Sequence, residues 1–371
     1  MNKIIYVFAF ILVISCKAEN SKDPQVDKWE AQAANVEIIR DDFGVPHIYG
    51  KTDADAVFGL LYAQCEDDFN RVEQNYIWAT GRLAEVDGEE ALYSDLRAKL
   101  FMSEEEAKAN YKKSPAWLKE LCNAFADGIN YYLYTHPEVK PRLLTNFEPW
   151  MPMYFSEGSI GGDIERISTK KIAAFYDSNM ALPEMEELKL KKEKEVEEPQ
   201  GSNGIAISGK LTQSGNALLL INPHTSFYFR GEVHVVSEEG LNTYGAVTWG
   251  QFFVYQGFNE KTGWMHTSTY TDVMDEFKET IVKNGENLFY QYGEELRPVK
   301  SSEIILKYKD GNELKEKKYP AYRTHHGPIT HVADGQWTAS AMMWEPVKAL
   351  EQSFIRTKQN GYKGFLDMMD I

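Results

Sequence analysis

The chain has 371 residues, of which 43% are hydrophobic and 26% charged, and this length and composition provide roughly two domains' worth of core. They exclude a chain that is disordered throughout. The formal net charge is −16, and such an acidic surface argues against a nucleic-acid partner, because phosphate binding needs clustered lysine and arginine side chains.

Residues 1–15 have the pattern of a secretory signal peptide. Lys3 precedes an apolar run over residues 4–14 that is too short to span a bilayer. Val13-Ile14-Ser15-Cys16 resembles the bacterial lipoprotein signal, in which the cysteine becomes the lipidated first residue of the exported protein. The sequence therefore predicts an exported bacterial protein, in the periplasm or held at a membrane only through lipid on Cys16. A plain signal peptide with an incidental cysteine is the alternative.

The next part of the chain is predicted to be mostly helical. Residues 16–35 are polar and predict a tether, and residues 36–181 form the helical region. A hairpin around Asp42-Phe43-Gly44 opens this region, and Thr52 is placed to cap a long helix. Further helices are predicted over residues 103–112, 114–134 and 163–176.

A charged spacer over residues 182–201 separates this region from a part rich in strands. Its dense mixture of glutamate and lysine indicates a solvated segment that proteases can reach. Short strands are predicted over residues 204–208, 216–221, 232–237, 246–248, 252–255 and 262–267, and a later hairpin at Asp310-Gly311-Asn312. Helices first and strands afterwards predict the α+β class.

Gly201-Ser202-Asn203-Gly204, at the end of the spacer, is the candidate catalytic site. If the Gly201–Ser202 bond is cut, Ser202 carries a free α-amine, a group whose pKa is ordinarily about 7.7–8.0, so one residue supplies both nucleophile and base. Gly201 has no Cβ and tolerates the strained peptide that attack by the Ser202 hydroxyl requires. A plain turn that joins the spacer to a strand is the alternative.

An ordered set of motifs over residues 36–275 carries a family resemblance. The motifs are Arg40-Asp41-Asp42-Phe43-Gly44-Val45-Pro46-His47-Ile48, Phe58-Gly59-x-x-Tyr62-Ala63-Gln64, Gly81-Arg82-Leu83-Ala84-Glu85, Gly201-Ser202-Asn203-Gly204, Thr212-x-x-Gly215, Asn222-Pro223-His224, Gly257-Phe258-Asn259, Trp264-x-x-Thr267 and Asp272-x-x-Asp275. This set resembles the penicillin acylase family of N-terminal nucleophile hydrolases, which includes penicillin, cephalosporin and acyl-homoserine lactone acylases. The resemblance implies a four-layer αββα sandwich, self-cleavage at Gly201–Ser202 into α and β chains, and hydrolysis of a small N-acyl amide.

The resemblance also implies roles for residues around Ser202. His224 falls at a position beside the nucleophile, where it would hydrogen-bond the Ser202 amine or hydroxyl; a structural histidine after a turn proline is the alternative. The backbone N–H of Ser268 is implied as one oxyanion donor. The acyl pocket is expected to include Phe227, Tyr255 and Gln256.

Two departures from the family pattern weaken the transfer of particular substrates. Phe258 stands where the family often has histidine, and Phe252-Phe253 stand where Pro-Gly is common.

A structural calcium site and an incomplete second chain are also implied. Asp272, the Met274 carbonyl and Asp275 match the family's calcium ligands, with Glu165 or Asp163 as a carboxylate from the helical region. A pair of solvated aspartates at a helix start is the alternative. No organic cofactor is implied.

The asparagine motif for the second oxyanion donor is not found before Ile371, so residues 202–371 are expected to be the N-terminal part of the nucleophile-bearing chain. A rival hypothesis is a surface lipoprotein of the same fold that binds ligands without turning them over.

Overall fold

The computed structural model describes residues 23–154, 164–177, 201–225, 228–267 and 273–371. The α-helices are α1 Pro24–Ala33, α2 Asp53–Ala79, α3 Ala84–Asp87, α4 Leu92–Phe101, α5 Glu104–Lys113, α6 Ala116–Thr135, α7 Thr169–Asp177, α8 Pro346–Thr357 and α9 Tyr362–Met368. Short 3-10 helices occur at Glu89–Ala91, Met151–Tyr154, Ile164–Arg166 and Gly209–Leu211. The strands are β1 Val36–Arg40, β2 Pro46–Gly50, β3 Ser202–Ile207, β4 Leu218–Pro223, β5 Arg230–Ser237, β6 Asn242–Thr248, β7 Gln256–Phe258, β8 Gly263–Trp264, β9 Met274–Glu279, β10 Ile281–Asn284, β11 Asn287–Tyr292, β12 Glu295–Pro298, β13 Lys300–Asp310, β14 Glu313–Arg323, β15 Ile329–Ala333 and β16 Gln336–Met342.

The helix starts follow local capping signals. The Thr52 side chain accepts from the backbone N–H of Asp55, whose carboxylate accepts from the Thr52 N–H, and Ser103 and Glu106 form the same reciprocal pair at α5. These two pairs satisfy backbone donors that the first turn of each helix cannot pair internally. The α6 helix begins slightly later than expected, with Pro115 at its N-cap.

The tether prediction was wrong for part of residues 16–35, because α1 lies within this segment. Asp127 on α6 accepts hydrogen bonds from the Gln25 amide at 3.0 Å, the Lys28 ammonium at 2.7 Å and the Trp29 indole at 2.8 Å. Val26 is buried beside them. The polar composition of this segment therefore did not indicate that it contains a helix, one face of which packs on α6.

The main sheet takes strands from both halves of the chain. Its order is β1-β2-β5-β6-β7-β8, and every neighbouring pair is antiparallel except β2 and β5, which run parallel. The β1–β2 hairpin that opens the helical region is therefore built into the sheet of the C-terminal half. In the parallel pair, His47 lies opposite His234.

Helix α2 packs on one face of this sheet, α6 packs on α2, and together they form the larger core. Ile48 of β2 and Val235 of β5 are buried in the same cluster as Phe58 of α2 and Phe125 of α6. The helices approach closely at Gly128, where a Cβ would lie 2.4 Å from the Phe58 carbonyl oxygen. Any side chain there would force the helices apart.

A second core lies between α4, α7 and the long strands of the C-terminal part. It contains Leu96, Ile172, Tyr319 and Trp337. The Tyr176 hydroxyl donates to the backbone oxygen of Ile329 at 2.7 Å, which ties α7 to β15. This core joins the helical region to the sheets β13-β14 and β15-β16-β9.

Most of the predicted strands are present, but the strand predicted over residues 252–255 is wrong. Phe252 and Phe253 lie in a connection between β6 and β7 and are 1% and 2% exposed. Their apolar run fills the larger core without joining the ladder. The predicted hairpin at Asp310-Gly311-Asn312 is confirmed, with Asp310 paired to Glu313 and Gly311 at φ +61°.

The α+β class is confirmed, whereas the four-layer sandwich remains a prediction. In the described residues, β3 and β4 form a separate two-stranded sheet. Within the same described ranges, none of the helices combines the length and apolar character needed to cross a membrane.

Candidate active site

Ser202 is the first residue of β3 and pairs with Pro223 of β4. It is half-buried. Gly201 precedes it with φ +102°, a backbone conformation that residues with a Cβ rarely adopt. The peptide before Ser202 therefore depends on glycine at position 201.

Three hydrogen bonds hold Ser202. Its hydroxyl donates to the Gly201 carbonyl oxygen at 2.6 Å and accepts from the backbone N–H of His224 at 3.3 Å. Its own carbonyl accepts from the Thr267 hydroxyl at 3.2 Å. In the uncut chain, the hydroxyl thus lies against the carbonyl group of the bond whose cleavage is predicted.

The His224 ring lies beside the same peptide but contacts a different partner. Its Nε2 is 3.0 Å from Asn203 Nδ2, and its Nδ1 is 3.9 Å from the point that a Cβ at residue 201 would occupy. The Asn203 amide nitrogen can only donate, so in this contact the His224 Nε2 atom accepts. The predicted link between His224 and Ser202 is made by the His224 backbone, and its ring orients Asn203.

Tyr255 and Gln256, expected in the acyl pocket, are buried behind a neighbouring loop. The Tyr255 ring stacks on His266 with centroids 4.4 Å apart, and Gln256 Nε2 donates to the His266 carbonyl at 3.0 Å. Both residues therefore support the loop that carries His266 and Thr267.

A cavity of about 510 Å³ adjoins this loop, a volume suited to a small-molecule site. Its lining is mainly apolar and comes from the loop after β8 and from α8, α9 and the residues flanking them: Trp264, Met265, His266, Met343, Glu345, Lys348, Ala349, Gln352, Arg356, Phe365, Met368, Met369 and Ile371. The Met265 sulfur also packs on β3, since a Cβ at Gly204 would lie 2.1 Å from it. The cavity is thus next to the strand that carries Ser202.

The buried Arg356 and the half-buried Arg230 lie around this loop. Arg356 Nη1 is 2.9 Å from His266 Nε2 and lines the cavity. The Arg230 guanidinium lies 4.3 Å above the Tyr255 ring, and burial lowers its pKa from the usual value. An anionic group in the cavity would meet the positive charge of Arg356.

The ribbon that carries Ser202 exposes large apolar side chains. Ile205, Leu218 and Leu220 are 55%, 55% and 52% exposed. A two-stranded ribbon on its own is marginally stable in water, and the described residues leave these side chains exposed.

The expected calcium ligands are placed on two elements that meet at the second core. Met274 and Asp275 begin β9, with Asp275 exposed, so the alternative of a helix start is wrong for Asp275. Glu165 is exposed in the 3-10 helix Ile164–Arg166, and Ile164 packs in the same core cluster as Met274. Across the described ranges, no group of three or more histidine, cysteine, aspartate or glutamate side chains is suited to a metal.

Several predicted site residues lie outside the described residues. They are Cys16, Asp163, Phe227, Ser268 and Asp272. The cavity beside β3 was not anticipated from the sequence, because α8 and α9 carry no motif and are distant from Ser202 along the chain.

Comparison with known proteins identifies the family. The penicillin amidase family model matches residues 35–371, and the chain belongs to this family. An acyl-homoserine lactone acylase QuiP from Pseudomonas fluorescens Pf-5 is 24% identical over 89% of this chain and 46% of that protein. QuiP from Pseudomonas aeruginosa PAO1 is 24% identical over 82% of this chain and 41% of that protein. The chain thus spans about half the length of the curated relatives it matches.

Among solved structures, a thermostable penicillin G acylase from Alcaligenes faecalis matches 38% of this chain and 26% of its own, with 18% identity and a TM-score of 0.34.

Proposed function

We propose that this chain is part of an N-terminal serine amidohydrolase precursor that hydrolyses N-acyl amides. The observation that carries the proposal is the contact of the Ser202 hydroxyl with the Gly201 carbonyl, at a glycine whose φ of +102° residues with a Cβ rarely adopt. Family membership supports the same reaction class.

Self-cleavage would begin with attack of the Ser202 oxygen on the Gly201 carbonyl carbon. The Gly201–Ser202 C–N bond breaks, the Ser202 nitrogen takes up a proton and becomes a free amine, and an ester forms between Gly201 and the Ser202 oxygen. Water then hydrolyses the ester, leaving a carboxylate on Gly201 and a free hydroxyl on Ser202. The chain thereby becomes two chains, an α chain that ends with the spacer at Gly201 and a β chain that starts at Ser202.

Amide hydrolysis would use the same oxygen a second time. The Ser202 amine takes the hydroxyl proton, the oxygen attacks the amide carbon, and the amine product leaves with a proton. The backbone N–H of Ser268 is the proposed oxyanion donor. Water then releases the carboxylic acid from the acyl-serine.

The cavity beside β3 is the proposed acyl pocket. Its apolar lining, rich in methionine, suits a fatty or aromatic acyl group, and Ala349 of α8 contributes to that lining. N-acyl-homoserine lactones are candidate substrates, because the matched relatives are named as acylases of these compounds.

A panel of N-acyl-homoserine lactones and phenylacetyl amides, assayed on the complete natural protein, tests the substrate class. We expect Ala349→Phe to lower kcat/KM for long acyl chains by about 10-fold or more, because the added ring fills the cavity, and to affect short chains less. Glu351→Phe, on the same helix but outside the cavity lining, is the matched control. Equal losses for short and long chains in Ala349→Phe would contradict the assignment of the pocket. Cleaved protein that turns over no member of the panel would instead favour a binding lipoprotein.

The localisation and the layered architecture expected from the sequence are also proposals. We propose export, with a lipid anchor at Cys16, and a four-layer sandwich in which further strands cover the exposed apolar side chains of the β3–β4 ribbon.

A structural calcium ion is proposed at Asp272, the Met274 carbonyl and Asp275, with Glu165. Carboxylates and a main-chain oxygen suit this hard cation. We expect calcium to raise the melting temperature of the complete protein, and Asp275→Ala to remove most of that rise. Asp334→Ala, at an exposed aspartate in the turn after β15, is the control. An identical response of the Asp275→Ala protein to calcium would exclude Asp275 as a ligand.

A further inference from the structure

A second cavity lies between α5 and the ends of β14, β15 and β16. Its volume is about 370 Å³, which is within the range of small-molecule sites. Its walls come from the end of α4, one face of α5 and these strand ends. It shares no lining residue with the cavity beside β3. This cavity is therefore separate from the proposed acyl pocket.

One face of α5 contributes a positive charge to this cavity. Glu106, Asn110 and Lys113 lie four and three residues apart, which places them on the same side of the helix. The Glu106 carboxylate accepts the backbone N–H of Ser103 at 2.8 Å. At about 1.5 Å of rise per residue, Glu106 and Lys113 are about 10 Å apart along the helix axis. Lys113 is exposed and, within the described ranges, forms no ion pair.

Arg323, the last residue of β14, brings a second positive charge to the same cavity. Its Nη2 atom donates to the backbone oxygens of Leu100 and Phe101 at 2.6 and 3.1 Å, which fixes the half-buried guanidinium against the end of α4. Among the residues that the structure describes, no carboxylate pairs with Arg323, and its Nε and Nη1 atoms donate to no acceptor. A guanidinium presents its donors in one plane, which matches the two oxygens of a carboxylate.

His326 lines the cavity in a fixed orientation. Its Nδ1 atom is 2.8 Å from Oε1 of the buried Glu279, which also accepts the Thr324 hydroxyl at 2.7 Å. Its ring stacks on Phe277 with centroids 3.9 Å apart and an interplanar angle of 4°. Because a carboxylate can only accept, Nδ1 carries the hydrogen in this contact, and Nε2 is the remaining polar atom of the ring. The Nε2 atom accepts a hydrogen bond when the ring is neutral and donates one when it is protonated.

The rest of the lining indicates the kind of anion. The rings of Phe101 and Trp344 both line the cavity and lie 6.4 Å apart at an interplanar angle of 40°, so a planar apolar body has aromatic surface to pack on. With His326 neutral, the lining holds the positive charges of Arg323 and Lys113 and the negative charge of Glu106. Two positive charges and one negative leave an excess of one positive charge, which matches a monoanion such as a carboxylate.

We propose that this cavity binds a small aromatic carboxylate. Its carboxylate group pairs with Arg323 and Lys113, and its ring packs on Phe101 and Trp344. The site requires neither cleavage at Ser202 nor amide hydrolysis, so its test is independent of the proposed function.

The test is a fluorine NMR titration of the complete natural protein with para-fluorobenzoate. We expect saturable binding that weakens about 10-fold or more in Arg323→Gln, because hydrogen bonds between charged groups are lost. Lys113→Glu should weaken binding about 3-fold or more, since an exposed charge contributes less. Lys112→Glu is the matched control, with the same charge change at an exposed neighbour outside the cavity lining, and it should bind as the wild type does.

Three further measurements test the ligand class and the place of binding. The neutral analogue para-fluorobenzamide should bind more weakly than para-fluorobenzoate, and inorganic phosphate at equal concentration should not displace the probe. Ala349→Phe, which fills the cavity beside β3, should leave the affinity unchanged. Loss of binding in Ala349→Phe would place the probe in the other cavity and overturn the proposal.

Unchanged affinity in Lys113→Glu, or in a folded Arg323→Gln protein, would also overturn the proposal. Equally tight binding of the amide, displacement by phosphate, or no saturable binding at about 10 mM probe would do the same. Thermal melts report whether each variant is folded. If Arg323→Gln unfolds because Arg323 also holds the end of α4, Lys113→Glu decides the question, since the exposed Lys113 side chain has no partner within the described ranges.

Discussion

Ser202→Ala is expected to abolish both cleavage of the Gly201–Ser202 bond and amide hydrolysis by the complete natural protein. A methyl group cannot attack the Gly201 carbonyl, which the Ser202 hydroxyl contacts at 2.6 Å. Without cleavage there is also no free α-amine to act as base. Removing a nucleophile of this kind lowers kcat/KM by at least about 10⁴-fold. Denaturing gel electrophoresis and initial rates with the preferred N-acyl amide measure the two effects.

Two further variants distinguish loss of the nucleophile from disruption of the β3–β4 ribbon. Ser208→Ala changes a serine just past the end of β3, whose side chain accepts from the Lys210 N–H, and it should be cleaved and active. Ser202→Cys keeps a nucleophile at the same position and should still be cleaved. Normal cleavage of Ser202→Ala would show that another group or another protein cuts the chain.

Glu73→Ala is expected to cause a large loss of stability. Glu73 is 0% exposed, and its carboxylate accepts the backbone N–H groups of Arg142, Leu143 and Leu144 at 2.9, 2.7 and 2.8 Å. Alanine would leave these three donors without their acceptor, and Leu144 is buried. A buried donor left unpaired costs about 1–3 kcal/mol, and the two less buried donors lose their acceptor as well, so the free energy of unfolding should fall by about 1–3 kcal/mol or more. Urea unfolding followed by circular dichroism measures the loss.

Glu66→Ala is the matched control on the same helix. Glu66 pairs with Arg40 near the surface, with its side chain 35% exposed, and such pairs contribute about 0–1 kcal/mol. Equal shifts in the unfolding midpoint for the two variants would contradict the anchoring role of Glu73.

The parts of the fold that could be predicted are those with local signals. Thr52 caps α2 through Asp55, only a few residues along, and the turn at Asp310-Gly311-Asn312 joins β13 to β14 directly. Both signals are complete within a few residues. Neither depends on the rest of the molecule.

The wrong predictions depend on distant contacts. Residues 24–33 are helical because Asp127, about 100 residues away, accepts three of their side chains. Phe252 and Phe253 have a strand-like composition, but the larger core takes up both rings. The parallel pairing of β2 with β5 likewise joins residues that are far apart in the chain. Composition alone does not indicate which residues far apart in the chain will be in contact.

The candidate site was predictable only in part. Motif order indicated Ser202 and His224, and the structure brings the His224 backbone to the Ser202 hydroxyl. The expected pocket residues Tyr255 and Gln256 support a loop, whereas the cavity is lined from α8 and α9. Cavities form between elements, so a sequence without a motif on those elements cannot indicate one.

The most direct test of the central claim is the N-terminal sequence and intact mass of the active, complete natural protein. The proposed mechanism predicts two chains, the second of which begins with Ser202 and carries a free amine. A single uncut polypeptide that hydrolyses N-acyl amides at full rate would contradict it.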